Sequence, residues 1–316
     1  MPPMRAIVYE GAGGAEVMRL VERPDPVPGA DELLVSVAYS GVNPADVAQR
    51  AGSYPPPPGA PADVPGLEVS GTVIAAGGQV NGISPGDRVF GIVGGGGHAD
   101  RVVVHARHVA QVPDALSEQA AAAAPEAFIT AHDAAWTQAA IRPGERLLVN
   151  GANGGVGLAA VQIGLATGVR VLANARSSQQ KLAALGAEPV ELDDVRGADV
   201  ILELVGAPNM PGNLRALALQ GRIVVVSTAA GSAFEMPLGA LMGRRATMIG
   251  TLLRARPIEQ KGAAVQAFAR QVVPLLASGA IEPTVDRVFP AEQAAEAFEY
   301  LQQPGKFGKV LVDWTG

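Results

Sequence analysis

An apolar run that ends in a glycine-rich turn constrains the fold of this chain most strongly. The segment LLVNGANGGVG extends from Leu147 to Gly157, and apolar residues continue to about Ala166. This order predicts a buried strand, a tight turn and a helix. Glycines let the backbone approach a pyrophosphate and let the helix lie close to the strand, while the free N–H groups of the first helical turn attract phosphate. The turn is therefore predicted to bind a dinucleotide through Ala152, Asn153, Gly154, Gly155, Val156 and Gly157.

The next strand indicates which dinucleotide is bound. The segment VRVLAN, which ends at Asn174, completes a strand–helix–strand unit, and Arg176 and Ser177 follow it. An NAD-binding protein usually has Asp or Glu here to hold the ribose 2′-hydroxyl. No carboxylate is present to repel a 2′-phosphate, and guanidinium and hydroxyl groups donate hydrogen bonds to phosphate oxygens. We therefore predict NADP(H), with Asn174, Arg176 and Ser177 at the site; the alternative is that Arg176 is a solvated loop cation.

Short strands separated by Gly/Pro turns fill the first third of the chain. This pattern predicts an all-β, barrel-like module over roughly residues 1–115. From Ser117, a predicted N-cap, strands alternate with helices, which predicts a parallel, doubly wound sheet. The predicted strands cover residues 4–10, 33–40, 68–75, 88–93, 102–105, 147–150, 169–174, 200–205, 222–227, 284–289 and 309–313, and the predicted helices include 128–139, 178–185, 213–219, 258–278 and 291–301.

Composition excludes several classes of protein. The 316 residues are 48% hydrophobic and 17% charged, which is typical of a compact enzyme. A net charge of −6 without a basic run argues against a nucleic-acid surface. No apolar stretch of about 18 residues could span a membrane, and the N-terminus has no apolar signal core, so we expect a cytoplasmic protein. The absence of cysteine excludes disulfides, thiolate nucleophiles and Cys-ligated zinc.

Several motifs at matched spacing resemble one family, the zinc-independent medium-chain dehydrogenases/reductases of the quinone oxidoreductase group. They are SGVNPAD from Ser40, GLEVSG from Gly66, GDRV from Gly86, residues 95–99 and the closing GKV from Gly308. The stretches GSYPPPPG from Gly52, PEAF from Pro125 and GTLLRAR from Gly250 are similar to the branch related to the p53-inducible NADPH quinone oxidoreductase.

The resemblance implies an α/β fold of two domains. A GroES-like, β-barrel-type catalytic domain would cover residues 1–124 and 257–316, and a doubly wound Rossmann domain that binds NADP would cover residues 125–256. It also implies a homodimer, in which the segment at residues 245–249 pairs across a two-fold axis.

The resemblance also bears on zinc. The zinc enzymes of this family carry a ligating Cys where this chain has Asn43 and a ligating His where it has Leu67, although Glu68 remains. Without the metal, oxidation of an unactivated alcohol is disfavoured, because zinc lowers the pKa of that alcohol. Hydride transfer from NADPH to a quinone is the leading hypothesis, and reduction of an enone or enoyl substrate is the alternative. The scattered histidines, His98, His105, His108 and His132, predict no metal site.

By resemblance, Asn43 and Asp46 belong to the catalytic cleft. Asn43 would donate its amide N–H to the nicotinamide ribose or to the substrate oxygen. Asp46 would either act in the site or hold its own turn. Tyr54 would hydrogen-bond the acceptor oxygen, deliver a proton or cover the cleft as an aromatic lid.

Further residues are predicted on the cofactor side. Thr130 fits the position whose hydroxyl commonly faces the nicotinamide in relatives, and the alternative is a threonine on the helix surface. Ser227 follows the carboxyl end of a predicted parallel strand, where ligands bind in such sheets. The remaining candidates have open alternatives: Leu252 and Leu253 pack on the nicotinamide or in the core, Lys181 assists at the 2′-phosphate or is solvated, and Lys309 or Arg254 contacts phosphate or ribose. A non-catalytic role, structural or nucleic-acid-binding, is disfavoured by the intact turn and the acidic pI near 5.3.

Overall fold

The computed structural model describes residues 3–316, in which strands dominate the first third and then alternate with helices. The strands are β1 (Met4–Tyr9), β2 (Met18–Arg23), β3 (Glu32–Val42), β4 (Glu68–Ala76), β5 (Arg88–Ile92), β6 (Arg101–His105), β7 (Val109–Gln111), β8 (Arg146–Asn150), β9 (Arg170–Asn174), β10 (Glu188–Pro189), β11 (Ala198–Glu203), β12 (Leu217–Val225), β13 (Thr247–Gly250), β14 (Val285–Pro290) and β15 (Lys309–Asp313). The α-helices are α1 (Pro44–Arg50), α2 (Glu118–Ala122), α3 (Pro125–His132), α4 (Gly155–Ala166), α5 (Gln179–Ala184), α6 (Met210–Ala216), α7 (Leu238–Arg244), α8 (Ile258–Gln271), α9 (Val273–Ala277) and α10 (Ala294–Gln302).

These elements divide into two compact units. Residues 3–126, 253–279 and 283–316 form the first, called here the barrel unit. Residues 127–252 and 280–282 form the second, called here the parallel-sheet unit. The fold class is α/β, as predicted.

The long strand β3 organises the barrel unit. It pairs antiparallel with β4 along one side, while its other side pairs first with β6 and then with β15. Because Val42 lies opposite Val310 and Ser40 lies opposite Val69, the end of β3 meets the starts of β4 and β15. Three polar residues, Asn43, Glu68 and Lys309, therefore stand together at one edge of an otherwise apolar core.

The parallel-sheet unit contains one six-stranded parallel sheet in the order β10-β9-β8-β11-β12-β13. Numbered within the unit, this is 3-2-1-4-5-6, the order typical of dinucleotide-binding folds. Strand β8 is buried on both faces, as its continuous apolar run requires. Since parallel strands end at the same edge, Asn150, Asn174 and Glu203 lie near one another at the ends of β8, β9 and β11.

Some predicted boundaries were wrong. Strands β2 and β7 were missed, because β2 carries charged residues on a two-stranded hairpin and β7 has three residues. The helix predicted at 213–219 ends at Ala216, and the chain turns directly into β12. The helix predicted at 258–278 is divided at Val272, because Pro274 has no N–H for a continuous helix. The helix predicted at 128–139 is α3 followed by a π-helical segment, Asp133–Gln138.

Candidate functional site

The glycine-rich turn lies between β8 and α4 in the parallel-sheet unit. Gly157 is closely packed: a Cβ there would come within 2.3 Å of the Gly151 carbonyl oxygen and 2.7 Å of the Ala152 Cα. Gly154, the N-cap of α4, is exposed, and the nearest atom to a Cβ there would be 3.6 Å away. Gly157 thus allows close packing of α4, and Gly154 leaves an open cradle at the N-terminus of this helix.

A buried hydrogen-bond network supports this turn. Glu203 is fully buried, and its Oε1 accepts the backbone N–H groups of Val205 and Gly206 at 2.7 and 2.8 Å. Its Oε2 accepts from the amides of Asn150 and Asn213, both at 2.7 Å. This network was not predicted from the sequence. Polar residues at the ends of two apolar strands are the signal that could have revealed it.

The network extends to the segment predicted to hold the 2′-phosphate. Asn174 donates its amide N–H to Asn150 Oδ1 at 2.8 Å, which fixes its side chain at the end of β9. Beyond it, Asn153 donates to Ser177 Oγ at 3.3 Å, so the turn and the segment after β9 are joined. Arg176 and Lys181 are exposed. The loop between them holds Ser178 at φ +71°, a left-handed conformation that non-glycine residues seldom adopt.

Thr130 on α3 carries a buried polar atom without a partner. Its side chain is 9% exposed, and its hydroxyl oxygen makes no hydrogen bond to the described part of the chain. Buried hydroxyls normally have partners, so an orphan of this kind indicates a ligand or water contact. Together with the cradle at Gly154, it fits the binding of a nicotinamide dinucleotide.

The remaining predicted residues near the cofactor differ in exposure. Ser227 is half-buried, two residues after β12, and its hydroxyl accepts the Ala229 N–H at 3.2 Å. Leu252 is 51% exposed and belongs to the parallel-sheet unit, so it is no core residue. Leu253 is buried and belongs to the barrel unit.

In the barrel unit, the most concentrated polar cluster joins Asn43, Glu68 and Lys309. The Lys309 Nζ lies 2.6 Å from both Asn43 Oδ1 and Glu68 Oε1. The Asn43 amide nitrogen donates to Glu68 Oε1 at 2.9 Å and to the Gly41 carbonyl at 3.1 Å. All three side chains are buried. Since both amide protons of Asn43 have acceptors, its amide here orients a buried ion pair instead of presenting a free donor.

Glycine at position 41 makes this arrangement possible. A Cβ on Gly41 would lie 2.1 Å from Glu68 Oε1. The carboxylate therefore occupies space that any other residue at this position would fill.

Asp46 holds the start of α1. It is fully buried, and its Oδ2 accepts the Asn43 N–H at 2.8 Å while its Oδ1 accepts the Gly66 N–H at 3.0 Å. His98, also fully buried, places its Nε2 3.6 Å from Asp46 Oδ2. Of the two roles considered for Asp46, this geometry favours the one that holds its own turn.

Arg254 is paired with Tyr54. It is 5% exposed, and its guanidinium carbon lies 5.2 Å from the centre of the Tyr54 ring, within cation–π range. Its Nε donates to the Gly94 carbonyl at 2.9 Å and its Nη2 to Gln49 Oε1 at 2.5 Å. Its Nη1 is buried without a hydrogen-bond partner among residues 3–316. Tyr54 is half-buried, and burial raises the pKa of its phenol.

Glu126, in the first turn of α3, borders the same cluster and was not among the predicted site residues. Its backbone N–H donates to Glu68 Oε2 at 2.8 Å. Burial, followed by the neighbouring Glu68 carboxylate, raises the pKa of the Glu126 side chain to about 7.

Residues 3–316 contain no group of three His, Asp or Glu side chains arranged to hold a metal ion. Across the same residues, no helix has the length and apolar character needed to cross a membrane.

Comparison with known proteins agrees with this architecture. Residues 29–114 match the alcohol dehydrogenase GroES-like domain, and residues 173–312 match the family model described as zinc-binding dehydrogenase. The quinone oxidoreductase of Mus musculus is 32% identical, with 98% of this chain and 97% of the relative covered.

Two solved structures are also similar. A mycobacterial protein complexed with NADPH has a TM-score of 0.86 at 28% identity, and the enoyl reductase CurK has a TM-score of 0.86 at 25% identity. Each alignment covers 98% of this chain and 99% of the other. The chain is an oxidoreductase that belongs to the quinone oxidoreductase group of the medium-chain dehydrogenase/reductase family.

Proposed function

We propose that this protein reduces a quinone with NADPH and without zinc. The observation that carries the proposal is the cluster around Lys309, at the position that corresponds to the metal site of the zinc enzymes. Asn43 and the buried Leu67 replace the Cys and His ligands, and the Lys309 ammonium already neutralises Glu68. An amide and an alkyl group do not form a zinc site. A conjugated acceptor does not need one, because the charge it gains spreads onto its oxygen.

The parallel-sheet unit would hold the cofactor. The cradle at Gly154 and the N-terminus of α4 suit the pyrophosphate, and Thr130 has an unused hydroxyl for the nicotinamide end. When bound, NADPH supplies the hydride; the protein supplies orientation and hydrogen bonds. The NADPH complex of the mycobacterial relative supports this cofactor.

Arg176, with Ser177 and Lys181, would select NADPH over NADH. We expect Arg176→Ala to weaken NADPH binding about 100-fold, as loss of a charge-assisted phosphate contact implies. NADH affinity should change less than about threefold, since NADH has no 2′-phosphate. Fluorescence titration with both cofactors measures the two constants. Arg170→Ala, an exposed arginine at the other end of β9, is the matched control. Equal weakening of NADPH and NADH binding would show that Arg176 does not contact the 2′-phosphate.

An enone or enoyl substrate is the second candidate, favoured by the structural similarity to the CurK enoyl reductase. The test is anaerobic NADPH oxidation with ortho- and para-quinones, simple enones and enoyl thioesters, with NADH in parallel. Fast turnover confined to quinones is the expected result. Preference for an enone or thioester would reassign the protein to the enoyl reductases.

We also propose a homodimer that pairs through β13. This strand is at the edge of the parallel sheet, and α7 before it exposes Leu238 (67%) and Met242 (75%). An unpaired edge beside exposed apolar side chains is typical of an interface. Light scattering at micromolar concentration should give twice the 32.2 kDa chain mass. A monomeric mass would contradict the proposal.

A further inference from the structure

The carboxyl group of Glu126 has no function in the cluster described above. Its backbone N–H is 2.8 Å from Glu68 Oε2, so the residue is fixed beside the buried ion pair. No side-chain hydrogen bond contributes to the pKa of its carboxyl group, and the residue as a whole is partly exposed. The Glu68 carboxylate differs, because it is fully buried and is bound by Lys309, by Asn43 and by the Glu126 backbone N–H. One carboxylate is thus committed to structure and the other is available.

Charged and titratable groups from several elements surround Glu126. Burial and the Glu68 carboxylate, followed by Asp46, favour its protonated form, whereas Lys309 and Lys261 favour its ionised form. The net effect is a pKa of about 7, so a large fraction of Glu126 carries its proton at neutral pH. The interacting groups are Glu68 on β4, Lys309 on β15, Asp46 on α1, Lys261 on α8, and Tyr54 and Arg254 in the connecting segments.

The proposed reaction requires such a proton. A quinone or an enone that receives a hydride gains two electrons, and the new charge settles on its carbonyl oxygen. A proton must reach that oxygen, or the conjugated carbon in an enone, to complete the product. Neither Glu68 nor Asp46 can supply it, since both are fully buried and hold backbone or side-chain donors.

We infer that Glu126 is the general acid that protonates the acceptor oxygen, next to a hydrogen bond from Arg254. This inference rests on the proposed function. The O–H bond of Glu126 breaks, a new O–H bond forms on the reduced acceptor, and the glutamate recovers its proton from solvent. NADPH is the reductant and the acceptor is the oxidant, so one hydride and one proton are consumed in each turnover.

Arg254 provides an independent reason to place the oxygen here. Its side chain is nine-tenths buried, and its Nη1 has no partner, although Nε and Nη2 are both engaged. It interacts electrostatically with Glu126 and Tyr54. A fixed cation with one unused N–H stabilises an oxygen on which negative charge develops. Because Arg254 and Glu126 interact electrostatically, we place both beside the acceptor oxygen.

The experiment compares the pH dependence of kcat for wild type, Glu126→Gln and Glu126→Asp. For the wild type, kcat should fall as pH rises through about 7, because the protonated acid is then lost. Glu126→Gln, which is nearly isosteric but not an acid, should lower kcat about 100-fold at pH 6.5 and abolish this fall. Glu126→Asp should keep the fall and part of the rate. The loss of kcat in Glu126→Gln should be larger for acceptors whose reduced oxygen is more basic.

Binding and folding measurements separate this role from a structural one. NADPH affinity by fluorescence and the unfolding midpoint of Glu126→Gln should match wild type, as should all properties of Glu259→Gln, an exposed carboxylate on α8. Unchanged kcat and pH profile in Glu126→Gln would overturn the inference. If the variant does not fold, a wild-type kcat that stays constant from pH 6 to 8.5 overturns it instead. If the wild type reduces no acceptor, the proposed function fails first and this inference falls with it.

Discussion

Alanine at Gly157 should strongly destabilise the parallel-sheet unit, whereas alanine at Gly154 should leave the fold intact and abolish tight cofactor binding. A Cβ at Gly157 would meet two backbone atoms, at 2.3 and 2.7 Å, which belong to the turn and cannot rotate away. Such overpacking should lower the free energy of unfolding by about 3 kcal/mol. A Cβ at Gly154 has open space around it, and its φ of −83° is available to any residue.

Gly154→Ala is therefore expected to change cofactor binding and not the stability of the fold. That space is the proposed site of the pyrophosphate, and an added methyl group should lower NADPH affinity about 100-fold. Urea unfolding and fluorescence titration of both variants give the two quantities. If Gly154→Ala bound NADPH as wild type does, the cradle would not be the pyrophosphate site. If Gly157→Ala were as stable as wild type, the described packing of α4 would be wrong.

The second large effect is expected at Lys309. Lys309→Met keeps the length of the side chain but leaves the fully buried Glu68 carboxylate without its counter-ion. Removal of one partner from a buried pair costs about 3–5 kcal/mol, because the remaining charge is uncompensated. We expect a loss of this size at pH 8 by urea unfolding.

A double variant is the matched control for this prediction. Glu68→Gln combined with Lys309→Met removes both charges and should recover much of the stability lost in the single variant. A single variant within about 1 kcal/mol of wild type would show that the pair is solvated. A double variant no more stable than the single one would show that packing of the lysine stem, and not its charge, is important.

The parallel-sheet unit was largely predictable because its signals are local. A buried parallel strand needs a continuous apolar run, and the glycine turn and apolar helix follow within about 20 residues. The spacing of these segments therefore indicated both the fold class and the cofactor turn. The boundary at Ala216 was not predictable, because Leu217, a residue that favours a helix, pairs with Ala198 of β11 in the folded sheet.

Polar residues at the ends of apolar strands indicate where polar networks form, but the partners within them were not predictable, because they depend on strand register. Asn43 and Lys309 are 266 positions apart, and Asn150 and Glu203 are 53 apart. Each pair meets only because of strand alignment: β8 and β11 end side by side, and the end of β3 lies beside the start of β15. No local pattern specifies that alignment. The resemblance named Asn43 and Lys309 separately, but it did not predict that they bind each other and Glu68. Glu126 belongs to the PEAF motif, but the sequence did not indicate that burial and the Glu68 carboxylate would raise the pKa of its side chain.

The central claim is that hydride passes from NADPH to a conjugated acceptor without a metal. The most direct measurement is anaerobic single turnover of chelator-treated protein with a quinone, using NADPH that carries two deuterium atoms at C4 or none. We predict one quinone reduced per NADPH, a primary isotope effect on the transfer, and the same rate before and after chelation. Activity that disappears on chelation and returns with zinc would contradict the claim, as would quinone reduction without an isotope effect.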